Sequence, residues 1–281
     1  MKNKIKSVLI LVVFSIICIS INAQPSQKDT LKNISVASVN DTLKIMLPAA
    51  PAILQASQKF VIKGVDVAIK LEDTLKKQFA KQKIAYPPTA IYLRSFKYDR
   101  ELEVWVKSNS KEAFKLLKTY KVCQQSGSMG PKRAEGDYQV PEGFYYINEF
   151  NANSNYHLAL GLNYPNASDR ILADQYKPGS AIYIHGSCVS TGCIPLTDGP
   201  IEELYYLTKL VNTKGQEFIP VHVFPIKYSV KKSADFLETS MKDNEALKSF
   251  NKNIKEVYEF FEVKKELPII MVNSKGEYVL N

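Results

Sequence analysis

Cysteine is scarce in this chain, four residues in 281, histidine occurs three times and tryptophan once. So thin a cysteine content excludes a scaffold held together mainly by disulfides. No internal repeat and no low-complexity tract is present, which excludes a solenoid or an array. Long hydrophobic runs are missing too. The longest, Val8 to Ile19, falls short of the roughly 18 to 20 apolar residues that cross a bilayer. Acidic residues are in deficit, 28 against 37 basic ones, and the resulting net charge of +9 suits an anionic polymer or surface.

The apolar run that is present follows Lys2, Lys4 and Lys6 and closes on Ile21-Asn22-Ala23, the pattern of a secretory signal peptide over 1–23. The expected location is the periplasm or cell envelope, with no membrane span after cleavage. Export makes nucleic acid a poor partner for the positive charge. Cys18 follows Ile17 rather than a small residue, which argues against a lipoprotein acceptor. Cleavage after Ala23 removes three lysines and no acid, taking the charge from +9 to +6. Three cysteines then remain, Cys123, Cys188 and Cys193, an odd number in a compartment where thiols oxidise. A Cys123–Cys188 bridge would leave Cys193 free, but the sequence alone does not decide the connectivity.

Composition divides the rest of the chain. Residues 24–48, rich in Ser, Asn, Lys, Thr and Asp with no persistent period, read as a flexible tether. Residues 49–86 read as a helical segment: Val61, Val65, Val67, Ile69, Leu71, Leu75 and Phe79 are spaced among polar residues until Pro87-Pro88. From 87 to 228 the pattern is strand-rich, over 90–96, 101–106, 114–122, 143–147, 156–162, 180–185 and 217–224, with a hairpin turn at Tyr98-Asp99-Arg100. One helix interrupts it. It begins after Thr197-Asp198-Gly199-Pro200 and carries Ile201, Leu204, Leu207 and Val211. Residues 229–281 form a helical extension marked by Leu247, Phe250, Ile254, Val257 and Phe261, with a strand pair at 268–272 and 278–280. The fold class expected is α+β, a mostly β catalytic domain with helical N- and C-terminal extensions.

The chemistry concentrates in Ile184-His185-Gly186-Ser187-Cys188-Val189-Ser190-Thr191-Gly192-Cys193-Ile194. A thiol attacks only as the thiolate, and at a pKa of about 8.5 little of it is ionised near neutrality, so a nearby imidazole is the usual base. A strand over 180–184 would deliver His185 at its end, and the loop would bring Cys193 back to it. Gly192 allows a tight turn, and the amides of Gly192 and Cys193 can serve a tetrahedral oxyanion. Two blander readings compete. Cys188 and Cys193 can be small buried residues or a disulfide beside a structural histidine. Alternatively His185, Cys188 and Cys193, with His157 or His222, can make a tetrahedral zinc site, although the spacing is not that of a typical finger.

The run resembles the His-Gly and Ser-x-Gly-Cys signature of the L,D-transpeptidase catalytic domain, the YkuD-like family of peptidoglycan enzymes. It resembles most narrowly the YafK-like branch, with its compact His-Gly-x-Cys-x-Ser-x-Gly-Cys motif. Supporting segments extend the resemblance over roughly Ile91 to Pro225, among them Ser126-Gly127, Gly130-Pro131-Lys132, Gly136-Asp137, Pro141 to Tyr145, Tyr156-His157-Leu158, Tyr164-Pro165-Asn166 and Val221 to Pro225. Most of the family has Arg two positions after the cysteine. Here that position is Pro195, as in the YafK-like branch, and the group that contacts the donor peptide is left open.

The resemblance implies Cys193 as nucleophile, His185 as general base and Gly192 as an oxyanion-hole amide. Gly186, Ser187, Ser190 and Thr191 would line the substrate, and Lys132 and Arg133 are candidates for holding a carboxylate. It implies no metal or organic cofactor. The partners implied are peptidoglycan stem peptides and an envelope protein as acceptor or substrate. The activity implied is thioester-mediated L,D-transpeptidation at diaminopimelate. The alternatives are hydrolysis of the same linkage, releasing attached protein or cross-links, and a noncatalytic envelope binding module or zinc-stabilised protein.

Overall fold

The computed structural model describes residues 69–173 and 177–281. The expected leader, the tether and the 49–68 part of the first helical segment lie outside the described residues. Strand-forming segments between 90 and 224 build one eight-stranded sheet. They are β1 (Ala90–Phe96), β2 (Glu101–Lys107), β3 (Lys115–Lys121), β4 (Gly143–Ser154), β5 (His157–Leu162), β6 (Tyr183–His185), β7 (Ile194–Pro195) and β8 (Ile219–Phe224). Their spatial order is β3-β2-β1-β8-β4-β5-β6-β7. The β1–β8 and β6–β7 pairs are parallel and the other neighbours antiparallel.

Helices α1 (69–81) and α3 (Asp198–Thr213) cover one face. There Leu75, Phe79, Ile201, Leu204, Leu207 and Val211 pack on Ile91, Leu93, Leu160, Ile184, Val221 and Val223. The short α2 (Ala167–Leu172) is held by a capping box between Asn166 and Asp169. The opposite face receives the C-terminal segment: α4 (Lys231–Met241), α5 (Glu245–Lys264) and the antiparallel pair β9 (Ile270–Val272) and β10 (Tyr278–Leu280). Ile254, Tyr258 and Tyr278 pack there on Phe96 and Phe224, and Phe261 on Tyr92 and Trp105. Strands β1 and β8 are therefore buried on both faces, which is why they read as near-continuous apolar runs. The architecture is the expected α+β, a β-rich domain flanked by helical segments. Among the described residues no helix is long and apolar enough to cross a membrane.

The boundaries differ from expectation for local reasons. Strand β4 does not stop at Ile147 but runs to Ser154, because a register shift between Ile147 and Glu149 lets it continue along β5. Strand β6 begins only at Tyr183, since Ala181 takes a positive φ of 59° that ends extended backbone. Side chains alternate across a strand. With Leu160 and Ile184 turned to the α3 face, Ala159, Tyr183 and His185 turn to the other, toward the part of it that lies beyond β8 and β4.

Candidate active site

Two parallel strands, β6 and β7, bring the expected pair together. Ile184 lies level with Ile194 and His185 with Pro195. Cys193, one residue before β7, is thereby set beside the Tyr183 end of β6. The intervening loop starts with Gly186, whose amide donates to Leu158 O at 3.0 Å, and Leu196 N donates to His185 O at 2.8 Å. A Cβ on Gly186 would come within 2.9 Å of Asp198 Oδ1, His157 Cβ and Tyr156 O, so only glycine fits. Asp198, in the first turn of α3, accepts a hydrogen bond from Ser187 N at 3.0 Å. Its place in a helix-start motif was visible in sequence; its reach back to the loop was not.

His185 is 2% exposed. Its Nδ1 sits 2.5 Å from Gly186 O. A carbonyl only accepts, so Nδ1 carries the proton and Nε2 keeps its lone pair, the tautomer a general base needs. Burial pulls the imidazole below its ordinary pKa, the Gly186 carbonyl acting in the other direction. Cys193 is a free, half-buried thiol whose Sγ donates to Ala181 O at 3.7 Å. Burial pushes that thiol up, opposed by a hydrogen bond from the Tyr183 backbone and by the charge of Lys132. Both shifts favour the uncharged forms, thiol and imidazole. Both line one cavity of about 380 Å³, with Asn151, Asn153, Tyr156, Tyr183 and Thr191 among its walls. The Tyr156 ring, 4.8 Å from the imidazole and tilted by 31°, roofs it. Tyr156 enters the sequence reading only within a supporting segment of the resemblance, and the asparagines of the β4–β5 hairpin do not enter it, since nothing in their spacing ties them to the cysteine motif.

The remaining expected residues fall as follows. Thr191 is exposed on the cavity wall. Gly192 adopts φ +127° with its Cα against Gln139 O, where a Cβ would approach to 3.0 Å. Its amide donates to Ser190 Oγ at 3.3 Å, and Ser190 Oγ donates to Cys193 O at 2.8 Å. Lys132 and Arg133 are both engaged by carboxylates. Lys132 Nζ pairs with Asp137 and donates to Ala134 O at 2.7 Å. Arg133 pairs with Asp169 at 3.2 Å. Both cations thus already carry a carboxylate partner, which offsets part of the charge either could offer a donor carboxylate.

His157 pairs with Glu202 at 2.7 Å. His222 lies in the core that the C-terminal segment covers, its Nδ1 at 2.8 Å from Tyr92 Oη. Cys188 is bonded to Cys123, with Cα atoms 5.7 Å apart. The zinc arrangement is therefore not assembled: its second thiol is spent in a disulfide, and His222 sits in another core. Among the described residues no group of three or more metal-ligating side chains converges.

Residues 100–223 match the profile of the YkuD family, the L,D-transpeptidase catalytic domain. Over 209 residues, 74% of this chain and 79% of the relative, the sequence is 32% identical to the Escherichia coli K12 protein named "Putative L,D-transpeptidase YafK". Among solved structures, the helical cell shape determining protein Pgp2 of Campylobacter jejuni is similar at 20% identity and a TM-score of 0.39, covering 66% of this chain and 73% of that one. Bd1075 of Bdellovibrio bacteriovorus is similar at 22% identity and a TM-score of 0.35, covering 56% and 58%.

Proposed function

The chain belongs to the L,D-transpeptidase catalytic domain family, and on that footing we propose that it transfers peptidoglycan stem peptides in the cell envelope through a thioester on Cys193. The observation that carries this reading is one cavity lined by both a free thiol and an imidazole whose Nδ1 is held on Gly186 O. The thiol proton passes to His185 Nε2 as sulfur attacks the carbonyl at the L-centre of diaminopimelate in a tetrapeptide stem. The backbone amides flanking the nucleophile, of Gly192 and Cys193, serve the oxyanion. In the resting structure the Gly192 amide rests on Ser190 Oγ at 3.3 Å, long enough to be surrendered to a charged oxygen. Collapse breaks the amide, and the departing D-alanine amine takes the proton from Nε2. An acceptor amine or water then attacks the thioester, its proton passing through His185 Nε2 to the departing thiolate and regenerating the thiol. A second stem gives a 3-to-3 cross-link, a protein lysine an anchored protein and water a hydrolysed stem. Acyl group and proton stay on protein and substrate throughout, so the scheme needs no cofactor.

The test is incubation of the signal-free chain with disaccharide tetrapeptides, with products resolved by mass. Release of D-alanine together with dimers is the expected outcome, and Cys193→Ala abolishes it. Full turnover in Cys193→Ala rules the mechanism out.

A further inference from the structure

The segment Cys123 to Ser126 leaves strand β3 and runs beside the nucleophile loop, to which it is joined three times. Its first residue is covalently bonded to Cys188, midway between base and nucleophile. The backbone of the same residue donates to Pro195 O at 3.0 Å, just past Cys193. At its other end, Ser126 Oγ lies 2.9 Å from Ser190 Oγ.

Donor counting fixes the direction of that last bond. Ser190 has one hydroxyl proton, and it is given to Cys193 O. Ser126 therefore donates, and the Ser190 oxygen accepts twice, from Ser126 and from Gly192 N. The hydroxyl of Ser190 is saturated. It ties the residue before the nucleophile and the nucleophile's own carbonyl to the segment that follows β3. Behind Gly192, the carbonyl of Gln139 closes the remaining side.

We infer that Cys123, Cys188 and Ser126 are positioning residues, forming a clamp that makes acylation of Cys193 depend on an intact Cys123–Cys188 disulfide. Without the clamp the 186–192 loop keeps Gly186 in its notch but loses its tie at the middle. Displacing a reacting group by about 1 Å costs about a hundredfold in rate. The clamp is broken by a dithiol reductant: two electrons and two protons enter the disulfide, two thiols form, and the reductant closes to its own cyclic disulfide. The site thereby senses the oxidising state of its compartment while Cys193 itself remains a thiol.

This rests on the acyl-transfer reading, and the experiment separates the two. The signal-free chain, its form reduced with dithiothreitol and freed of excess reductant, the Cys123→Ser/Cys188→Ser double variant, Ser126→Ala and Ser126→Thr are each treated with a carbapenem and, separately, with iodoacetamide. Adducts at Cys193 are located by peptide mass mapping, because reduction frees Cys123 and Cys188 as further thiols, and folding is followed by circular dichroism. Carbapenem acylation needs the oxyanion geometry, whereas alkylation needs only an accessible thiol. The expected result is a fall of about tenfold to a hundredfold in acylation in the three altered forms, a much smaller change in alkylation, and recovery in Ser126→Thr.

Ser126→Ala keeps the disulfide, so it reports even if the double variant fails to fold. Acylation in the reduced form and in Ser126→Ala equal to that of the unaltered chain overturns the clamp. Absence of acylation in the unaltered chain overturns the acyl-transfer reading instead.

Discussion

His185 and His222 project from the same face of one sheet and are 2% and 4% exposed, yet their surroundings make them opposite in kind. Over β1, β8 and the start of β4, the face is sealed by α5 and β10. His222 there lies edge-on to Tyr92 and Phe144, and its Nδ1 is taken by Tyr92 Oη. Burial holds its pKa down to about 3. Over β5 and β6 the face instead borders a cavity whose walls include the Tyr156 side chain, itself 48% exposed. His185 spends Nδ1 on a main-chain carbonyl, which on the reading proposed above leaves Nε2 to act as the base. Burial alone does not separate the two, and neither does the occupied nitrogen, which is Nδ1 in both. What separates them is what surrounds the ring, a cavity at His185 and packed aromatic side chains at His222.

Exchanging the two residues tests that contrast most strongly. His185→Gln removes the base and should lower carbapenem acylation and tetrapeptide turnover by about 10²- to 10⁴-fold, with little change in the denaturation midpoint. His222→Phe should do the reverse. It leaves Tyr92 Oη buried without that partner, costing about 1–3 kcal/mol in stability, while acylation of the folded chain is unchanged. Equal losses of activity in both variants would remove the distinction.

The covered half has its own polar centre. Arg94, fully buried among Phe96, Trp105, Tyr258 and Phe261, donates to Glu103 at 2.7 and 3.0 Å and to Glu262 at 2.7 Å. Glu103 also accepts from Trp105 Nε1 at 2.7 Å and pairs with Lys227 at 2.9 Å. Glu103→Leu strips all three donors of one partner and should cost about 3–5 kcal/mol in urea unfolding, without altering acylation of the chain that remains folded. A parallel loss of acylation would mean that the two halves are energetically one.

Which half a residue joins was only partly readable from the sequence. The helix carrying Ile201, Leu204, Leu207 and Val211 announced itself by spacing, and His185 and Cys193 by their motif. Strand β7 did not, because two residues paired by register alone carry no period. Helix α2, with six residues, and helix α4, with only Ser233, Leu237 and Met241 buried, give equally weak patterns. His157 and His222 looked like alternatives for one site. The parity that sends His222 under α5 depends on which strand neighbours β8, and that pairing links residues more than 120 positions apart. The Cys123–Cys188 pairing is likewise set by the strand order rather than by spacing.

The smallest predicted effect concerns the roof, and pH reads it. A base must be unprotonated to act, and burial lowers the pKa of His185. The acid limb of kcat/KM should therefore fall below the ordinary imidazole value of about 6.5. His222 gives a separate acid signature. Its folded pKa of about 3 lies below the unfolded value, so between them the unfolded chain binds the extra proton. Its contribution to stability is complete above about 6.5 and declines as pH falls toward 3.

Tyr156→Leu opens His185 to water and relieves the desolvation that heads the causes of its shift. The acid limb should move up toward 6.5, while acid unfolding, governed by the covered half, stays where it was. The lost ring contact is worth only about 0.5–1.5 kcal/mol, so neutral-pH turnover changes little. If Tyr156→Leu left the acid limb in place, the desolvation of His185 would come from the sheet beneath it, and the open half would owe its chemistry to the same packing that seals its neighbour.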